Sequence, residues 1–336
     1  MISSTRAWWF DSTNSLVPKC HMLMMKTIVT MSPRSTGWYN EWIDVLGTEE
    51  IGDAGFNSAT HRWHFPDQWT IVEQHAWLVQ SLAQSHVAKV FSMTLDNFPE
   101  VSDSGVFIRD IFLSDQKWKI LVSRFRRKDR AVQVQVLKQL VAILTEQWIE
   151  REIIIPPESE NLYFEWGDFR YIAGSWILFA WLNTQSGSSR NSIQGIEWVR
   201  DTLEVPKEKL IIVDGKWFHL DTVKWVVTNK VDQLVWSIIC RDLVRNFEEI
   251  ARRLVWLGVK VLQVDAQYGI YSKEVGNRWA KWTINTLNLP GVLVWNGLFD
   301  EATEDRLLEL GQARIVTQVS EFWNAGWGVH CLTNQI

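Results

Sequence analysis

Between residues 106 and 125 the chain reads VFIRDIFLSDQKWKILVSRF, two alternating apolar runs on either side of a polar turn at 114–117. That pattern predicts a β-hairpin. The period then changes. In AVQVQVLKQLVAILTEQ (131–147), Val134, Leu137, Leu140, Val141 and Leu144 fall on one helical stripe. REIIIP follows as a short strand, so hairpin, helix and strand form one unit.

The unit recurs. YFEWGDFRYIAGSWILFAWL (163–182) predicts a hairpin turning at Ala173–Ser175, NSIQGIEWVRDTL a helix and EKLIIVD a strand. KWFHLDTVKWVVTNKVDQLVW predicts a third hairpin. Its helix spans 242–258, with Leu243, Phe247, Ile250, Leu254 and Leu257 on one face and Gly258 as the stop, and VKVLQVD is its strand. A fourth unit runs through WTINTLNLPGVLVWN, EATEDRLLELG and ARIVTQV. Asp110 and Asp168 are 58 residues apart and Asp168 and Asp221 are 53 apart, a period near 55 that marks a repeat architecture. VHCLTNQI only begins a fifth unit. KTIVTMSP (26–33), the helix at 68–84 and AKVFSM supply what it lacks, so terminal strands would close the array into a ring. The expectation is an α/β chain with residues 1–25 as a poorly ordered N-terminal extension and 26–336 as a single domain closed by its first and last strands.

Composition narrows the function. Hydrophobic residues are 46% and charged residues 22%, enough for a substantial core, and the net charge of −5 argues against a nucleic-acid partner. No apolar run is long enough to span a bilayer. Cys20, Cys240 and Cys331 have neither zinc-ligand nor disulfide-framework spacing, which suits a reducing, cytoplasmic location. The 22 tryptophans are an excess with no evident physical reason.

In a ring, equivalent turns face one axis. Those turns hold Asp110, Glu165 with Asp168, His219 with Asp221, and His330 with Cys331. A cysteine, a histidine and an orienting carboxylate are the minimum for thiolate catalysis. One carboxylate suffices for that, so the surplus acids point to a cationic substrate, in particular a planar guanidinium that carboxylates grip in pairs. A metal site lacks the spacing, and no phosphate-binding glycine loop is present.

FIRD (107–110), FEWGD (164–168), FHLDT (218–222) and GVHCLT (328–333), in that order, resemble the motifs of the guanidino-group-modifying superfamily of arginine deiminases, dimethylarginine dimethylaminohydrolases, agmatine deiminases and amidinotransferases. The resemblance implies a five-bladed α/β propeller of ββαβ repeats, the pentein-like fold. It also implies hydrolysis of free arginine or a methylated arginine to citrulline, with amidino transfer as the alternative and a binding protein on the same scaffold as a third reading. Cys331 would attack the guanidinium carbon, His219 would serve as acid and then base, and Glu165 would hold His219. Asp110 and Asp221 would grip the guanidinium. Arg190 would meet the substrate carboxylate, assisted by Arg124 or by Arg126 or Arg130. With the cation in this carboxylate-lined pocket, positive charge near the sulfur would favour its thiolate. The only partner implied is a small guanidino substrate, with no cofactor and no metal; a homo-oligomer is open. Trp166 and Trp327 stand where the family has glycine, so a positive φ there would strain the backbone by about 1–3 kcal/mol each.

Overall fold

The computed structural model describes residues 26–35, 68–86, 88–101, 103–185, 189–216, 219–264, 285–295, 313–317 and 328–336, with a few isolated positions between them. The proposed extension at 1–25, the fourth helix at 301–311 and Trp327 lie outside the described residues.

Five three-stranded sheets share one plan. In the first complete unit, β3 (Phe112–Ser114) pairs antiparallel with β4 (Lys119–Val122), which pairs in parallel with β5 (Glu152–Ile154). The next sheet repeats this with β6 (Phe169–Ile172), β7 (Ile177–Leu182) and β8 (Leu210–Asp214). A third uses β9 (Lys224–Thr228), β10 (Leu234–Cys240) and β11 (Lys260–Val264). The fourth uses β12 (Leu287–Leu289), β13 (Val292–Trp295) and β14 (Ala313–Val316). A two-residue pairing of Phe56–Asn57 with Arg62–Trp63 stands apart.

The fifth sheet joins the chain's ends. β15 (Thr333–Gln335) pairs antiparallel with β1 (Lys26–Ser32), and β1 pairs in parallel with β2 (Ala88–Thr94) across the helix α1 (Gln68–Gln84). β15 therefore takes the place that the first hairpin strand holds elsewhere. Ile336 adds a backbone bond to Thr27 and is itself buried. The C-terminus is anchored because its backbone groups have partners and its side chains leave water.

A helix spans each described parallel crossover: α1 in the shared sheet, then α2 (Leu137–Glu146), α3 (Ile193–Thr202) and α4 (Phe247–Trp256). Parallel strands need such a crossover, and each helix covers the sheet with one apolar stripe. Leu137, Leu140 and Leu144 of α2, Ile196 and Val199 of α3, and Phe247, Ile250 and Leu254 of α4 are buried. Ser192 starts α3 by accepting the Gly195 N–H at 2.9 Å, an N-cap bond. Gly258 follows α4 at φ +77°, the left-handed stop expected of it.

Three expectations are corrected. Val141 is 40% exposed, at the edge of the α2 stripe formed by Leu137, Leu140 and Leu144, while Val134 lies in a 3₁₀ stretch over Val132–Val136 ahead of the helix. Leu243 sits in a 3₁₀ turn ahead of α4, which begins at Phe247. The motif residues before β3 and β6 form tight turns, so each hairpin strand is shorter than its alternating pattern.

Candidate active site

The predicted residues fall at equivalent places, just ahead of the first strand of each sheet. Asp110 ends the 3₁₀ turn Ile108–Asp110 before β3, Glu165 caps the turn Trp166–Asp168 before β6, and His219 caps Leu220–Thr222 before β9. Asn285 precedes β12, and His330 and Cys331 precede β15. One i→i+3 backbone bond tightens each turn, for example Asp110 N–H to Phe107 O at 3.0 Å and Asp168 N–H to Glu165 O at 3.1 Å.

Cys331 Sγ donates to Asp221 Oδ2 at 3.1 Å and lies 3.0 Å from Asn285 Nδ2. Asn285 Oδ1 accepts the Cys331 backbone N–H at 3.2 Å, so one amide grips the residue at sulfur and backbone. A Cβ at Gly328 would come 2.7 Å from the Asn285 side chain, which is why the tail approaches Asn285 on a glycine. His330 Nδ1 lies 3.0 Å from Asp221 Oδ2. The histidine next to the cysteine in sequence thus orients Asp221.

His219 Nδ1 lies 3.8 Å from both Asp110 Oδ1 and Asp168 Oδ1. Asp110, Glu165 and His219 offer atoms within 4.8 Å of one another, a cluster of metal-ligating types. Arg130 already stands between two of them: it bonds Asp110 Oδ2 at 2.9 Å and Glu165 Oε2 in a shorter contact. Arg190 adds a 2.8 Å ion pair to the same Glu165 oxygen. Of the three basic candidates near 124–130, Arg130 enters the site. Arg124 Nη2 goes to Ser159 O at 3.1 Å and Arg126 Nη1 to Ser189 O at 3.1 Å. The Arg124 backbone pairs with Phe164 and so positions the segment that carries Glu165.

Burial sets the charges. It pushes the Cys331 thiol well above its ordinary pKa, and the carboxylates of Asp221 and Asp110 push the same way. The sulfur's side-chain hydrogen-bond partners are a carboxylate and an amide, and its raised pKa keeps the ligand-free cysteine a thiol. Burial likewise raises Asp221 to about 7, with Asp110 adding to it, and raises Asp168 strongly, helped by Glu165. His219 is held well below its usual pKa by burial and then by Arg190.

Trp166 is not strained. It lies in the 3₁₀ turn rather than at positive φ, and its ring packs edge-on against Phe164 at 5.1 Å and Phe169 at 5.0 Å in the core. The neighbouring glycine is the one with no room: a Cβ on Gly167 would sit 2.3 Å from Asp110 Oδ1 and from His219 Nδ1.

Sequence reasoning missed Asn285 and singled out Arg124 over Arg130. Asn285 was findable, because WTINT holds it at the place in the repeat that Asp110, Asp168 and Asp221 hold in theirs.

The sequence matches no family model and no curated protein. Solved structures do match. The product-bound N-terminal domain of ArgZ, an arginine dihydrolase from the ornithine–ammonia cycle in cyanobacteria, superposes with a TM-score of 0.63 at 17% identity, over 92% of this chain and 97% of that domain. AgrE in complex with ornithine and NAD+ gives 0.64 at 18% identity, over 92% of this chain and 39% of AgrE. A dimethylarginine dimethylaminohydrolase, as its adduct with 4-chloro-2-hydroxymethylpyridine, gives 0.62 at 14% identity, over 93% and 100%. The chain therefore has the mixed α/β fold of these guanidino-group enzymes, as its motifs led one to expect.

Gly167→Ala tests the site geometry. The variant is expected to fold, because its new methyl meets movable side chains, and to lose at least about tenfold in kcat/KM by separating Asp110 from His219. Kinetics beside a melting curve check this, and unchanged kinetics would contradict it.

Proposed function

We propose that this chain hydrolyses the guanidino group of free arginine or a methylated arginine through a covalent adduct on Cys331, giving citrulline. The observation that carries the reading is the buried Cys331 thiol held by Asp221 and Asn285, in a set of turns that also brings His219, Asp110, Asp168 and Glu165 together. A pocket this rich in carboxylates suits a cation, and a planar guanidinium suits paired carboxylate oxygens best.

The substrate's charge reverses the balance at the sulfur. Once a guanidinium lies beside Asp221, the thiolate is favoured, and His219, neutral in the free protein, accepts the thiol proton. The sulfur attacks the guanidinium carbon, forming C–S. The C–N bond to the departing amine then breaks, the electron pair leaves on nitrogen, and His219 returns the proton to it. A thiouronium adduct remains. Water adds to its carbon as His219 takes a proton, and the C–S bond breaks with its electrons on sulfur, freeing the ureido product. One histidine acts as acid and then base. Glu165, pinned by Arg130 and Arg190, fixes the wall around His219, and Arg190 is 16% exposed at the side chain, open to a substrate carboxylate.

The shared strand plan of five sheets, with the chain's two ends meeting in one, supports a closed five-bladed propeller and a single catalytic domain over 26–336. Cys240 and Cys331 are buried thiols outside any disulfide, which supports work in the reducing cytoplasm. No described helix is long and apolar enough to cross a membrane.

A colorimetric ureido assay on arginine, methylated arginine and agmatine, run with Cys331→Ser alongside, tests the reading. Product is expected from the wild type on an α-carboxylate substrate, and at least about a thousandfold less from the variant. Silence on every substrate from a folded wild type would favour a binding role.

A further inference from the structure

Between the starts of β6, β9 and β12 lies a recess whose polar lining is Arg170, Lys224, His330, Thr286 and the Asp221 side of the candidate site, with apolar neighbours around them. It holds about 10 Å³ of free volume, room for one water-sized species. Lys224 is only 5% exposed, its Nζ lies 3.1 Å from the centre of the Phe179 ring, and that Nζ has no hydrogen-bond acceptor. Arg170 bonds His330 Nε2 and Asn288 O through its terminal nitrogens and leaves its buried Nε without an acceptor. Both cations are pulled below their ordinary pKa by burial first, and each is further depressed by a neighbouring cation. Buried donors of one sign without acceptors are costly.

We propose that this recess binds a small monovalent anion of halide size, with Lys224 Nζ and Arg170 Nε as its donors. The recess adjoins the candidate active site through Asp221 and His330, but the proposal rests on Lys224 and Arg170, neither of which the catalytic reading uses. Melting of the full chain in sodium bromide against sodium gluconate at equal ionic strength tests it. General salt effects favour the strongly hydrated anion, so a saturable rise in Tm in bromide alone is expected, absent from Lys224→Met. Equal curves in the two salts, or a bromide response retained by Lys224→Met, would overturn it. If that variant fails to fold, crystals soaked in bromide decide: anomalous density at Lys224 and Arg170 supports the site, and an empty recess overturns it.

A different observation carries a second inference. The chain has 22 tryptophans and 18 glycines. Trp148 follows the α2 C-terminus at φ +56° and is 93% exposed, at the place where α4 is followed by Gly258. Trp176 sits in the β6–β7 turn at φ +57° and is 42% exposed, whereas the β12–β13 turn uses Gly291 at φ +75°. A bulky residue there is a steric outlier, strained by about 1–2 kcal/mol, and the indole of Trp148 gains little burial in return. Trp118 is 66% exposed beside the Asp115 turn. Trp166 and Trp327 stand beside Gly167 and Gly328, where the resembling family has glycine.

We infer that Trp148 and Trp176, and others of this set, are encoded by UGA and are glycine in the protein made by its own cell. UGA is the codon that one reassigned genetic code reads as tryptophan and another as glycine. The codons give the first test: UGA at both positions is expected, and UGG at both overturns the inference. Peptide masses of the protein from its native cells give the second, with glycine expected and tryptophan overturning it. Trp148→Gly and Trp176→Gly in the recombinant chain should each raise Tm above the matching alanine variants, because alanine keeps the strained Cβ. Alanine performing as well as glycine would contradict the physical part.

Discussion

The site depends on one guanidinium. Arg130 bonds both Asp110 and Glu165 in a centre where all three side chains are buried. Buried carboxylates without a counter-charge would protonate or expel the turns that carry them. Removing one partner of such a network commonly costs about 3–5 kcal/mol, since the charge left behind has no solvent. Arg130 thus holds the β3 and β6 turns together and leaves Asp221, which has no arginine in hydrogen-bond contact, as the carboxylate available to an incoming cation.

The same burial explains why the resting site is quiet. Cys331 donates to Asp221, Asn285 holds it from the other side, and burial, then Asp221 and Asp110, raise its pKa. In the proposed reaction the protein supplies position, and the substrate supplies the charge that releases the thiolate. Catalysis is then coupled to recognition, because a ligand without a delocalised cation leaves the sulfur protonated. Asn285 and His330 matter here as positioning residues: each fixes an atom that touches the sulfur or the carboxylate beside it.

Much of this was legible in the sequence. The alternation and helical stripes gave the hairpin–helix–strand order, and the incomplete fifth unit foretold that β15 would pair with β1. That Cys331, His219, Glu165, Asp110 and Asp221 would fall at equivalent places ahead of first strands was legible from the repeat. What escaped was long-range and polar. Whether Arg124 or Arg130 turns inward depends on the Arg124 backbone bridging to Phe164 while Arg130 sits a helical turn further on. Trp166 looked like an intrusion on the site because its neighbour Gly167 carries the steric demand, while the indole itself turns into the core.

The central claim is that burial, reinforced by Asp221 and Asp110, keeps Cys331 protonated until a guanidinium arrives. The most direct measurement is the pH dependence of Cys331 alkylation by iodoacetamide, followed by peptide mass, with and without free guanidinium ion. The account predicts slow alkylation at neutral pH that titrates well above an ordinary thiol, and a shift of that titration to lower pH when guanidinium is added. An alkylation profile already at or below that of an ordinary thiol, and unmoved by guanidinium, would contradict it.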